Sequence, residues 1–132
     1  MGLDNGVEAK SNLRELTRDM LPSEIVYPFS FNDTEIIYWR KNWGLRNKVV
    51  NTFPLEEGSN WQYIIDTPNQ VFELIKIIIS FMNKETWEEE GDSIWEYDEI
   101  LPILQQNVMN LAIIAAFMKN NPDVYLEFYD SY

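Results

Sequence analysis

The sequence predicts a helix-dominated α+β fold built as a single compact domain of 132 residues. Three observations carry that expectation. Helical periodicity and helix-start signals recur over about 34–53, 68–84 and 99–120. Short β-favouring runs lie at 61–65 and 124–129. No repeat, low-complexity stretch or linker divides the chain, and its length suits one domain. With 45% hydrophobic and 14% aromatic residues, it can bury a real core.

In order along the chain, Leu13, Leu16, Met20 and Leu21 make an amphipathic pattern ended by Pro22. They predict a peripheral N-terminal helix within 1–22, with the domain's core in 33–132. The aromatic run from Ile25 to Phe31 carries Pro28, which makes it an extended connector or an edge strand. Asp33 or Thr34 can cap the first long helix, with Glu35 in its positive first turn, and Pro54 follows its end. On a helical wheel Ile36, Tyr38, Trp39, Trp43, Leu45, Val49, Val50 and Phe53 share one half, and Arg46 intrudes among them.

A polar turn over Glu56 to Asn60 precedes the short strand from Trp61 to Ile65. Asp66 or Thr67 before Pro68 starts the second helix, because proline suits the first helical position. That helix is apolar nearly all round, which places it at the centre of the domain. The third helix starts at Asp98 or Glu99, tolerates Pro102 only because it lies in the first turn, and stops at Asn120-Asn121-Pro122. The strand-forming tail, Val124 to Tyr129, is expected to pair with the strand from Trp61.

Composition excludes much chemistry. The chain holds no cysteine and no histidine, which removes disulfides, Cys/His zinc sites, thiol nucleophiles and imidazole-dependent triads. Ten basic residues against 22 acidic ones leave a net charge of −12, which opposes direct binding to nucleic acid or to anionic lipid. Five glycines offer no phosphate-cradling loop, and no calcium-loop motif is present. No cofactor or metal is therefore expected, and no spacing marks a catalytic carboxylate pair. The start of the chain has no apolar run of a secretory signal, and the longest unbroken apolar run, Leu111 to Met118, is short for a bilayer. The expectation is an intracellular, soluble, non-catalytic binding protein.

Two clusters are candidate sites. Residues 85–99 hold eight acids and no base, together with Trp87, Trp95 and Tyr97. Glu88, Glu89, Glu90 and Asp92, with Trp87 and Trp95, could occupy a basic groove as nucleic-acid phosphates do. The bland alternative is a solvated loop anchored by its aromatics. Arg40, Lys41, Arg46 and Lys48 put four of the ten bases within nine positions, interleaved with Trp39 and Trp43. Arg40, Arg46, Trp39 and Trp43 could form an anion pocket by bidentate and stacking contacts. Otherwise the aromatics are core and the bases answer the protein's own acids. Arg46, aimed into an apolar half, requires either an internal carboxylate or a bound anion.

The run Glu35-Ile36-Ile37-Tyr38-Trp39-Arg40-Lys41 resembles a family of small bacteriophage and prophage proteins with a Tyr-Trp-Arg-Lys signature. Members also carry an acidic, aromatic segment before the last helix and a short aromatic C-terminus. Ser93 to Asp98 and Tyr125 to Tyr129 stand in those places here. Where the family has a later His and Trp, this chain has Arg46 and Lys48. The likeness spans about 33–132 and implies a phage setting, hence the host cytoplasm, without supplying an activity. The resulting expectation is a phage accessory protein that binds a basic host protein and inhibits a defence nuclease or regulator. A small-ligand binder using the Arg/Trp cluster and a self-associating structural protein, hence a homo-oligomer, are the alternatives.

Overall fold

A computed structural model describes residues 4–29, 32–53 and 62–131. Helices and a four-stranded antiparallel sheet make an α+β fold in which helix predominates. The elements are β1 (Asp4–Ser11), β2 (Glu35–Arg40), α1 (Trp43–Thr52), β3 (Gln62–Ile65), α2 (Pro68–Phe81), α3 (Lys84–Glu90), α4 (Tyr97–Asn120) and β4 (Val124–Ser131). The strand order is β2-β1-β4-β3, so β1 and β4 form the centre and pair along their whole length. The strand from Gln62 to Ile65 pairs with β4 as expected, while 54–61, including the polar turn and Trp61, lie outside the described residues.

The N-terminal half differs from the expectation in two places. Residues 1–22 do not form a peripheral helix: Asp4–Ser11 is a central strand, and a single 3-10 turn, Arg18–Met20, follows it. Leu16 and Leu21 are buried and Leu13 and Met20 exposed, but irregular backbone does the placing. Val7 and Ala9 face the core between larger neighbours, with Val7 opposite Ile37 on one side and Phe128 on the other. Small residues suit this crowded centre.

The helix expected over 34–53 is instead two elements, β2 and α1, joined through Lys41 in a left-handed conformation (φ 57°). Neither Asp33 nor Thr34 is a helix cap there. A bulge between β1 and β2 occurs at Val7/Glu8, where Ile36 is the extra residue on β2. Asn110 of α4 donates to the Ile36 carbonyl at 3.0 Å and exchanges bonds with Val26, tying the irregular connector to the bulge. The described part of the Ile25 connector forms no strand.

The second half follows its local start signals, but α2 is not central all round, since Phe72 and Ile79 on its outer face are exposed. Thr67 accepts from the Gln70 amide while the Gln70 side chain accepts from the Thr67 amide, a capping box with Pro68 at the first turn. At the start of α4 the Glu96 amide donates to the Glu99 side chain at 3.1 Å, slightly ahead of the expected start, which leaves Pro102 inside the helix and not in its first turn. Helices α1, α2 and α4 cover one face of the sheet, where Val7, Ile37, Trp39, Ile65, Leu126 and Phe128 meet Leu74, Ile78, Leu104 and Leu111. Helix α4 is long and apolar enough to cross a membrane by length and composition, with 39% of its most apolar window buried in this domain.

Candidate functional site

The expected acidic loop is a short helix, α3, followed by a tight turn, and it is held firmly. Asn83 caps α3 by accepting from the Thr86 amide at 3.0 Å. Trp87 is buried, stacks edge-on against Phe81 and donates its indole N–H to the Trp95 carbonyl at 3.0 Å. Trp95 donates to the Arg40 carbonyl at 2.8 Å, and the Tyr97 hydroxyl to the Met82 carbonyl at 2.5 Å. Each large aromatic of the segment thus spends its polar handle on backbone while its body packs.

The N-terminus of α1 meets the same turn. The Gly44 amide donates to the Gly91 carbonyl at 2.9 Å, and the Ser93 hydroxyl to Asn42 Oδ1 at 2.7 Å. A Cβ at Gly44 would stand 2.0 Å from the Glu90 carbonyl oxygen, so only glycine permits this approach. Asp92 takes a positive φ of 43°, which turns the chain out of α3.

On this scaffold Glu85, Glu88, Glu89, Glu90, Asp92, Glu96, Asp98 and Glu99 are all exposed. An open groove of about 340 Å³ is lined by Trp87, Glu88, Asp92, Ser93, Trp95, Glu96 and Tyr97. The structure therefore brings Trp87, Glu88, Asp92 and Trp95 together, and leaves Glu89 and Glu90 outside the groove. Ile94, 66% exposed, stands beside it. The exposed carboxylates of Glu88, Asp92 and Glu96 suit a lysine or arginine side chain through charge-assisted hydrogen bonds.

No protein-family model, curated protein or solved structure matches the chain.

The second cluster is dispersed. Trp39 is buried against Phe128, and Asn107 accepts its indole N–H at 2.6 Å in the amide orientation that also serves the Ile103 carbonyl. Arg40 is exposed at the end of β2, and Trp43 opens α1. Arg46 Nε donates to Asp130 Oδ2 at 2.8 Å and Nη1 to Asn47 at 3.1 Å. Its partner is thus an internal carboxylate, the first of the two alternatives that the sequence poses.

The sheet face turned away from the helices carries a cluster that sequence reading missed. Glu35, Glu8 and Glu127 stand opposite one another across β2, β1 and β4. Asn32 donates to Glu8 at 2.5 Å and Glu35 at 3.2 Å, Tyr129 donates to Glu35 at 2.8 Å, and Lys10 pairs with Glu127 at 3.3 Å. Gly6 makes room for the Glu35 carboxyl, which a Cβ would approach to 3.0 Å. Burial pushes the Glu8 carboxyl above its ordinary value, with Glu35 and Glu127 adding to the rise against Lys10. Burial and the bond to Glu35 likewise push the Tyr129 phenol far up. A neighbouring cleft of about 560 Å³ is lined by groups of both signs, including Glu8, Lys10, Arg14 and Asp33. Among the described residues no group of three or more acids is arranged to hold a metal ion. Only strand register unites these residues, and register cannot be read from the isolated runs.

Proposed function

We propose that this protein is a small phage-encoded accessory protein that binds a basic host protein through the acidic groove of α3 and the turn after it. One observation carries the reading. The eight carboxylates of 85–99 enter no ion pair among the described residues, although the fold uses cations elsewhere to neutralise acids. The groove beside them gathers Glu88, Asp92 and Glu96 on a backbone already fixed by three aromatic anchors. A preorganised site loses little side-chain freedom on binding.

The partner's complementary feature is a lysine- or arginine-rich surface, such as the nucleic-acid groove of a nuclease or regulator. Blocking such a groove requires no catalysis by this chain. The phage setting rests on the resemblance through Tyr38 to Lys41.

The test is affinity capture from host lysate with wild type and with the E88Q/E89Q/E90Q/D92N variant, followed by affinity measurement on the partner identified. Asparagine at 92 tolerates the positive φ. Wild-type affinity should fall with added salt, and the variant should bind at least about tenfold more weakly, since each exposed charge contributes a fraction of a kcal/mol. Equal affinity of the two proteins rejects the reading.

A further inference from the structure

Helix α4 has a second, uncovered face. Its inner face, including Ile100, Leu104, Leu111 and Met118, is buried. The outer face is a seam spaced 4-3-4-3-4-3 along the chain: Asp98, Pro102, Gln105, Met109, Ala112, Ala116 and Lys119, every one of them exposed. Met109, at its middle, is 58% exposed. This spacing averages 3.5 residues, the period at which two helices keep one seam in contact. From Ile100 to Met118 there is no charged residue, and the seam's only charges are Asp98 at one end and Lys119 at the other.

That distribution is self-complementary in one orientation only. If a second α4 lies antiparallel across a twofold axis centred near Met109, Asp98 faces Lys119 of the other copy at both ends. In the same register Pro102 faces Ala116, Gln105 faces Ala112, and Met109 meets its own copy. A parallel arrangement would instead set Asp98 on Asp98 and Lys119 on Lys119. The small side chains of Ala112 and Ala116 lie opposite the bulkier Gln105 and Pro102, so large meets small along the line. Phe72 and Ile79 of α2, the helix that packs beside α4, are also exposed.

We propose that the protein forms a homodimer through antiparallel pairing of α4 on this seam. The occupant is a second copy because the end charges match this helix's own opposite end. A net charge of −12 per copy is tolerated because, between its paired ends, the contact lies on the charge-free stretch from Ile100 to Met118. The pairing engages Asp98 of the acidic segment but none of the residues that line the groove, Trp87, Glu88, Asp92, Ser93, Trp95, Glu96 and Tyr97.

The chain has no cysteine, so single-cysteine variants report directly on geometry. Under oxidant, M109C should form a disulfide-linked dimer. Neither D98C nor K119C alone should do so, because the two positions are about 31 Å apart along the helix. An equimolar mixture of D98C and K119C should give the crosslinked heterodimer. In sedimentation equilibrium wild type should be dimeric, and M109K should weaken the dimer at least about a hundredfold while keeping the wild-type circular dichroism. A wild type that stays monomeric at its highest soluble concentration overturns the proposal. Self-crosslinking of D98C, or a dimer undisturbed by M109K, overturns it equally.

Discussion

A guanidinium with 15% of its side-chain surface exposed, held 2.8 Å from a carboxylate with none, binds α1 to the end of β4 through Arg46 and Asp130. Removing one member leaves the other desolvated without its counter-charge, which is costlier than removing both. Arg46→Met should therefore destabilise by about 3 kcal/mol or more, and Asp130→Leu added to it should recover much of the loss. Chemical denaturation of the two singles and the double makes the cycle. A nearly neutral R46M would mean that the pair is not what holds this corner. Glu8 gives the opposite sign. Its carboxyl titrates above the ordinary value of 4.5, so folding favours the protonated form and its ionisation removes stability as pH rises through that raised value. Glu8→Gln should raise stability at pH 7 by about 0.5–1 kcal/mol, since it removes a desolvated charge that also stands between Glu35 and Glu127, against the pull of Lys10. The gain should vanish as pH falls through the raised value of Glu8, where the wild-type carboxyl is already neutral. Thermal unfolding of both proteins across that window is the check, and a gain that persists in acid contradicts the charge argument.

At the level of elements, legibility followed whether the signal was local. Helix α2 declared itself through Thr67, Pro68 and Gln70, and β4 through its alternating Val124, Leu126 and Phe128. Strand β1 did not, because its inward residues, Asn5, Val7 and Ala9, are small and only partly apolar. Their burial comes from pairing with β2 and β4, both far away in sequence. Strand β2 misled for a different reason. Its bulge buries Ile36 and Ile37 in succession, and with Trp39 they imitate a helical stripe. The β-branched and aromatic content of 36–39 was the available counter-signal. As for the site, the acidic composition of 85–99 was visible in full, but the groove was not. It arises because Trp87 and Trp95 fold inward onto carbonyls and Gly44 lets α1 close against the turn. The row of Glu35, Glu8 and Glu127 belongs wholly to register and had no local signal.

Over the whole molecule the charge is polarised rather than uniform. Residues 1–66 hold 7 bases and 10 acids, and 67–132 hold 3 and 12. Among the described residues three ion pairs join the halves, Lys10–Glu127, Arg14–Asp123 and Arg46–Asp130, and all three end on β4 or the residue before it. None reaches 85–99, so among the described residues no cation offsets that segment's repulsion. Salt then acts in two opposing ways. It screens the exposed acids, whose interactions in dilute buffer extend over a Debye length of about 30 Å at 0.01 M and about 8 Å at 0.15 M. It weakens the joining pairs less, because Asp130 and Glu127 are largely sequestered. Screening should win. Between those two ionic strengths, at fixed protein concentration, stability should rise by about 1 kcal/mol, or roughly 3–5 °C in Tm. The E88Q/E89Q/E90Q/D92N variant should start from a higher Tm in dilute buffer and gain less, since the repulsion being screened has been removed. A wild-type Tm that falls with salt would mean that the ion pairs on β4 outweigh the acidic rim. The excess charge would then be part of what holds the halves together, leaving less of it for a basic partner to satisfy.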